Sequence, residues 1–226
     1  MISLLCPTRK RPQNVERLVL SVVKTANPHT EICFYVDDDD HTNVFLEKWE
    51  KKIVGPRITF SDTWTELLKI ATGDILMLCA DDIVFQTTGW DAMVEQAFAE
   101  VPDRILLVHG DDLGPSGKTF ATLPFVSREW VEAVGYFTPR GFSCDWCDTW
   151  LHDVAKMIGR YKFLPFVVDH MHRIYGKAPN DETYKETQLR DSRDNNTAKY
   201  KARLAEREAD AEKLRKVISE FSANRS

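Results

Sequence analysis

No apolar run in these 226 residues approaches the roughly 18 needed to cross a bilayer, so no membrane-spanning helix is predicted. The opening stretch Met1–Arg11 has no basic region ahead of its apolar segment. A secretory signal is therefore not expected, and the implied location is cytoplasmic, or the host cytoplasm for a phage-encoded chain. Cysteine is scarce and odd in number, at five, which excludes a disulfide framework. Cys6, Cys33 and Cys79 fall in apolar runs, where a free thiol behaves as a small hydrophobe. Cys144 and Cys147 have the spacing of a redox pair or half a zinc site, but no second Cys-x-x-Cys accompanies them. Glycine is missing between Pro7 and Pro12, which argues against a glycine-rich phosphate loop there.

What is present is ordinary globular composition, with 43% hydrophobic and 29% charged residues, enough for one substantial domain with an appendage. The net charge of −5 is uneven. Residues 190–226 hold ten Lys/Arg and seven Asp/Glu, leaving −8 for the body and arguing against broad phosphate-backbone binding there.

The most informative stretch is Ile75-Leu-Met-Leu-Cys-Ala-Asp81-Asp82-Ile-Val-Phe85, an uncharged run ending on two adjacent carboxylates. Such a run, preceded by the turn signal Thr72-Gly73, predicts a strand buried on both faces. Ile2–Cys6, Glu31–Val36 and Arg57–Phe60 read as earlier strands. Helical spacing intervenes at Val15 to Val23, Val44 to Ile53 and Trp64 to Ala71. Strands alternating with helices predict an α/β fold with a mainly parallel sheet flanked by helices. Three strands end in polar clusters, at Thr8 to Arg11, Asp37 to Asp40 and Asp81-Asp82. Open α/β sheets bind ligands at the carboxyl ends of their strands, so these clusters are predicted to converge on one crevice.

Further along, a helix from Gly89 to Phe98, a strand at Ile105–His109, and helices at Arg128–Val134 and Trp146–Ile158 are predicted. A last strand, Phe163–Val168, runs into Asp169-His170-Met171-His172-Arg173. Residues 176–196 are polar with few apolar anchors and read as a mobile or extended segment. Ala198–Phe221 reads as a solvated helix with a narrow apolar stripe at Leu204, Leu214, Val217, Ile218 and Phe221. The domain expectation is a unit at 1–175 followed by a polar linker and charged helix at 176–226.

The order of these motifs resembles the inverting family-2 glycosyltransferases of the GT-A fold, of bacterial and bacteriophage type. It is carried by Pro7-Thr-Arg-x-Arg11-Pro12, acids after strand two, Ala71-Thr-Gly-Asp74, Ala80-Asp81-Asp82, Thr88-Gly-Trp-Asp91, Val126-Ser-Arg, Asp148-Thr-Trp-Leu151 and His170-x-His172. The resemblance covers residues 1–173 and implies a GT-A-like sheet with a Rossmann-like nucleotide-binding half. It also implies a nucleotide-sugar donor and a Mn²⁺ or Mg²⁺ ion. Cys79 stands where the family's metal motif has its first acid, leaving Asp81 as the direct ligand and Asp82 beside it.

Sugar transfer from a nucleotide diphosphate requires neutralisation of the departing diphosphate, deprotonation of the acceptor hydroxyl and exclusion of water. Asp81, His170 and His172 are the candidate metal ligands, the two imidazoles sharing one face of an extended chain. Each has a plainer reading, a helix cap for Asp81 and a structural histidine for the other two. Asp148 is the candidate general base with Asp145 as its alternate, against a helix-capping role for Asp148. Pro7, Thr8, Arg9, Arg11, Asp37, Asp38 and Asp82 are candidates for contact with the donor's phosphates, ribose or base. Asp39 and Asp40 read as solvated. Trp64, Trp90 and Trp146 are either sugar-stacking walls or core.

The function expected is a metal-dependent inverting transfer, in the uridine diphosphate series, to a glycan, a lipopolysaccharide or a modified DNA base. A nucleotidyltransferase of similar fold, or a binding and assembly protein acting through its C-terminal helix as a homo-oligomer, are the competing readings.

Overall fold

A computed structural model describes residues 1–224. Its strands are β1 (Ile2–Thr8), β2 (Glu31–Asp37), β3 (Lys52–Gly55), β4 (Ile75–Leu78), β5 (Ile83–Phe85), β6 (Leu107–Asp111), β7 (Phe125–Ser127) and β8 (Tyr161–His170). Its helices are α1 (Pro12–Thr25), α2 (Thr42–Phe45), α3 (Phe60–Leu68), α4 (Trp90–Ala99), α5 (Arg128–Val134) and α6 (Cys147–Met157). They continue as α7 (Glu182–Asp194), α8 (Asn196–Ala202) and α9 (Leu204–Ala223). The eight strands form one sheet in the order β3-β2-β1-β4-β7-β6-β8-β5. β1 pairs in parallel with β2 and β4, as β2 does with β3 and β6 with β8. β4–β7, β6–β7 and β5–β8 are antiparallel, giving the mixed, mainly parallel α/β sheet.

The period-2 alternation of side chains sorts the central strands into two cores. Ile2, Leu4 and Cys6 of β1 and Ile75 and Met77 of β4 enter one core with Val15 and Leu18 of α1 and Trp90 and Val94 of α4. Leu5, Leu76 and Leu78 enter the opposite core with Trp64 of α3, Trp130 of α5 and Trp150 of α6. Each fully buried aliphatic side chain of this kind contributes about 1.5–3 kcal/mol, which is why these uncharged runs form the centre of the sheet.

Pro12 sits in the first turn of α1, where its missing N–H costs nothing. Thr59 caps α3 and Ser127 caps α5, each accepting from a backbone N–H inside its helix. From β1 the chain winds outward through β2 to β3, then returns to place β4 on the other side of β1. The switch point of the sheet therefore lies between β1 and β4, and the crevice beyond their carboxyl ends is the place where such sheets take ligands.

Several expectations change. The third strand is Lys52–Gly55, not Arg57–Phe60, and the helix expected from Val44 to Ile53 is only the single turn α2. Ile53 and Val54 pair with β2 instead. Residues 176–196 are not extended: they hold α7, capped by Asp181, whose side chain accepts from the Tyr184 N–H. The C-terminal charged stretch is two helices, and α9 buries Ala211 and Leu214 in the core shared with α5 and α6. Leu204, expected in the apolar stripe, is exposed. Arg225 and Ser226, the end of the expected C-terminal segment, lie outside the described residues.

Candidate functional site

A cleft of about 730 Å³ opens at the carboxyl ends of the central strands. Thr8 and Asp37 end β1 and β2. Asp81 and Asp82 sit in the turn between β4 and β5, His170 ends β8, and Asp148 lies in the first turn of α6. All six line this one cleft, together with Pro7, Arg9, Arg11, Asp145 and His172. Of the candidate catalytic, metal-ligating and donor-contacting residues, Asp38 alone does not line it. Asp38 is exposed, with its backbone N–H donating to the Gly55 carbonyl at 2.7 Å.

The two adjacent acids have different partners. Asp81 accepts from the Thr8 hydroxyl at 2.8 Å and from the Arg11 guanidinium at 3.3 Å, so it ties β1 to β4 across the switch point. Asp82 accepts from the Tyr184 hydroxyl at 2.6 Å, and its other oxygen lies 3.3 Å from His170 Nε2. Burial pushes the Asp81 carboxyl up, with Arg11 opposing and the Asp82 charge reinforcing the rise. Burial acts on Asp82 in the same direction, but hydrogen bonding and charge from His170 and the Tyr184 hydroxyl outweigh it and hold that carboxyl well below its usual range. Of the pair, Asp82 is the carboxyl held lower.

The ligand expectation changes in detail. The side chain that meets His170 is Asp82 and not Asp81. His172 lines the same cleft with its ring 5.0 Å from that of His170, and its Nδ1 accepts from the Ile174 N–H at 3.3 Å. Burial lowers the His172 imidazole to about 4, so it is neutral near pH 7. His170 Nδ1 is buried without a hydrogen-bond partner. Among the described residues, three potential ligands with donor atoms within 4.8 Å of one another occur at Cys144, Asp145 and Asp191. Asp81, His170 and His172 do not close to that spacing.

Asp148 is half-buried, and burial pushes its carboxyl up to about 6 despite a hydrogen bond from the Thr149 N–H; the charge of Asp145 adds to the rise. The segment entering α6 is held in an unusual backbone conformation, with Asp145 at φ 50° and Trp146 at φ 68°. A left-handed tryptophan is strained, and its stacking on Tyr200 at 4.4 Å holds it there. Burial pushes the thiols of Cys144 and Cys147 upward, the former to about 12, which leaves both protonated and poor as redox nucleophiles.

Cations of the cleft pair directly with its acids. Arg9 donates to Asp37 at 2.9 Å, and Arg57 reaches the same oxygen at 3.3 Å. Asp40, expected to be solvated, is buried and accepts the backbone N–H groups of Lys10 and Thr42 at 2.7 and 2.9 Å. It shapes the Arg9–Arg11 turn, in which Lys10 has φ 57°. Trp90 is fully buried and stacked on Phe85 at 4.0 Å, so it belongs to the core and is no sugar wall. Trp64 is also buried, donating its indole N–H to the Leu5 carbonyl, although it borders the cleft.

Sequence reasoning missed Tyr35, Arg57, Tyr184 and Arg190, all of which line the cleft. Arg57 had been placed inside a strand. Tyr184 and Arg190 lie on a helix with no apolar periodicity to announce it.

No family model and no curated protein matches the sequence significantly. Solved structures do. S. aureus TarS 1–349 superposes with a TM-score of 0.59 at 13% identity, covering 78% of this chain and 62% of that one. The fold is GT-A-like. TarS 1–349 in complex with UDP-GlcNAc gives a TM-score of 0.57 at 13% identity, over 82% of this chain and 64% of the other. The UDP complex gives 0.56 at 14%, over 73% and 59%. This chain thus spans less than two thirds of the length of the TarS structures it resembles. Identity this low speaks for a shared architecture alone.

Proposed function

We propose that this chain transfers a sugar from a nucleoside diphosphate, in the uridine series, to an acceptor hydroxyl with inversion at the anomeric carbon. The observation that carries this reading is the convergence of Thr8, Arg11, Asp37, Asp81, Asp82, Asp148 and His170 on one cleft at the sheet's switch point. UDP and UDP-GlcNAc in complexes of the similarly folded TarS support the choice of donor.

In this reading residues 1–175 form the catalytic unit and 176–226 an appended segment. Arg9, Arg11 and Arg57 face the diphosphate, while Asp37 accepts hydrogen bonds from ribose or base. Asp82 and His170 offer a carboxylate oxygen and an imidazole nitrogen 3.3 Å apart, a donor pair suited to Mn²⁺ or Mg²⁺. Asp81 and His172 stand beside them, and the ion supplies neutralisation of charge on the departing diphosphate.

Asp148 accepts the proton of the acceptor hydroxyl as its oxygen bonds to the anomeric carbon and the nucleoside diphosphate leaves. A carboxylate with a pKa raised to about 6 is ionised near neutrality and yet basic enough for this task. Asp145, on the same rim, is the alternate base. The acceptor belongs to the hydroxyl-bearing class of glycans, lipopolysaccharides or modified bases.

The test is a panel of nucleotide sugars incubated with Mn²⁺ and scored for release of the nucleoside diphosphate. One donor is expected to turn over, with Asp148→Asn losing about 10²–10⁴ of the rate. Silence with every donor, together with thermal shifts identical for wild type and Asp82→Ala, would overturn the assignment.

A further inference from the structure

The cations of the cleft are already matched by carboxylates from one helix far along the chain. Asp181, which caps α7, takes Arg11 at two points, 2.8 and 2.9 Å. Glu182 takes Lys10 at 2.8 Å. Glu186 takes Arg9 at 3.2 Å and Arg57 at 2.6 Å. Every guanidinium facing the diphosphate position in the reading above thereby has a carboxylate partner from this segment, Glu186 being shared by Arg9 and Arg57.

The other anchors of the helix are mainly polar: the Tyr184 hydroxyl donates to Asp82, the Thr183 hydroxyl to the Arg9 carbonyl and the Arg190 guanidinium to the Ile58 carbonyl. Tyr184 is its one buried residue, and Leu189 is 72% exposed. With a single buried residue, α7 gives up little apolar burial on leaving the body compared with a core helix. Residues in the left-handed conformation flank it, Gly176 at φ 71° and Asn195 at φ 46°, marking it off from the 3-10 turn before it and from α8 after it.

We infer that α7 is an autoinhibitory strap, the Asp181 and Glu186 carboxylates standing in for the phosphate oxygens of the donor while Glu182 holds Lys10 beside the cleft. Docking of α7 on Arg9, Arg11 and Arg57 and binding of a diphosphate to the same cations exclude one another. The inference rests on the reading that this cleft takes a nucleoside diphosphate. It adds that the cleft is charge-compensated at rest and opens when an anion displaces the strap. Release also frees Asp82 from the Tyr184 hydroxyl, so strap and carboxylate respond together.

The probe is inorganic pyrophosphate, with the full chain. Backbone hydrogen exchange across 182–194 is compared with and without pyrophosphate, and pyrophosphate affinity is compared between wild type and the triple variant Asp181→Asn/Glu182→Gln/Glu186→Gln. Asparagine keeps the helix cap, so the variant removes charge and not the helix. The strap predicts faster exchange in 182–194 on pyrophosphate addition and roughly tenfold tighter binding by the variant. A merely structural helix predicts the opposite sign, with weaker or unchanged binding. Exchange that stays level or slows at saturating pyrophosphate, or absence of binding to both proteins, overturns the inference. A parallel titration with UDP-sugars separates the two ideas. Nucleotide-sugar binding without opening of α7 sinks the strap and leaves the transferase reading standing; pyrophosphate-driven opening without turnover of any donor does the reverse.

Discussion

His170 Nε2 lies 3.3 Å from Asp82 Oδ1, joining the end of β8 to the turn after β4 across the mouth of the cleft. β5 and β8 are paired so that Ile83 stands opposite His170, and this register fixes the meeting of the two side chains. If this pair holds the divalent ion, His170→Ala raises the Mn²⁺ concentration for half-maximal donor turnover by at least about tenfold. A Mn²⁺ titration of nucleotide release checks it, and an unchanged midpoint contradicts it.

Asp148 sets a pH dependence. Burial raises its carboxyl to about 6, so it is protonated, and useless as a base, below that value. The rate is therefore expected to rise with pH through about 6 and then level off. In Asp148→Asn this acid limb disappears along with most of the rate. A kcat/KM profile from pH 4.5 to 8 distinguishes the two proteins; an acid limb retained in the variant assigns the titration elsewhere.

Trp90 tests the core beneath the site. It is fully buried, stacks on Phe85 and donates its indole N–H to the Thr25 hydroxyl at 3.1 Å. Trp90→Ala removes this packing and is expected to cost about 3–5 kcal/mol in urea unfolding. Donor affinity per folded molecule stays the same, because the indole does not line the cleft.

Gly73 allows a close approach. A Cβ there would lie 2.8 Å from the Ser3 backbone nitrogen and 2.9 Å from the Met1 carbonyl oxygen. Backbone atoms of a central strand cannot step aside as a side chain does. Gly73→Ala is expected to destabilise by about 1–3 kcal/mol, read as a lowered denaturation midpoint with an unchanged slope.

The parallel core was legible because Ile2–Cys6, Ile32–Val36 and Ile75–Cys79 are uncharged over lengths typical of a doubly covered strand. Their polar ends fell together because the winding of the chain puts all three carboxyl termini on one edge. The missed strands, β5 and β7, have three residues each, too short to show a period. α7 escaped notice for another reason: ion pairs and a cap hold it, and hydrophobic periodicity is blind to both. Asp40 was misjudged because its partners are backbone N–H groups, which the side-chain sequence does not advertise. The different partners of Asp81 and Asp82 involve Thr8, Arg11, Tyr184 and His170, whose proximity is tertiary.

The central claim is that this cleft grips a nucleotide sugar through Asp82 and its neighbours. Calorimetric titration of UDP-GlcNAc and other UDP-sugars into wild type and Asp82→Ala, with and without Mn²⁺, tests it most directly. The account predicts saturable binding of at least one donor that strengthens with Mn²⁺ and loses that strengthening in Asp82→Ala. Binding of no UDP-sugar, or Mn²⁺-dependent binding of equal strength in both proteins, would contradict it.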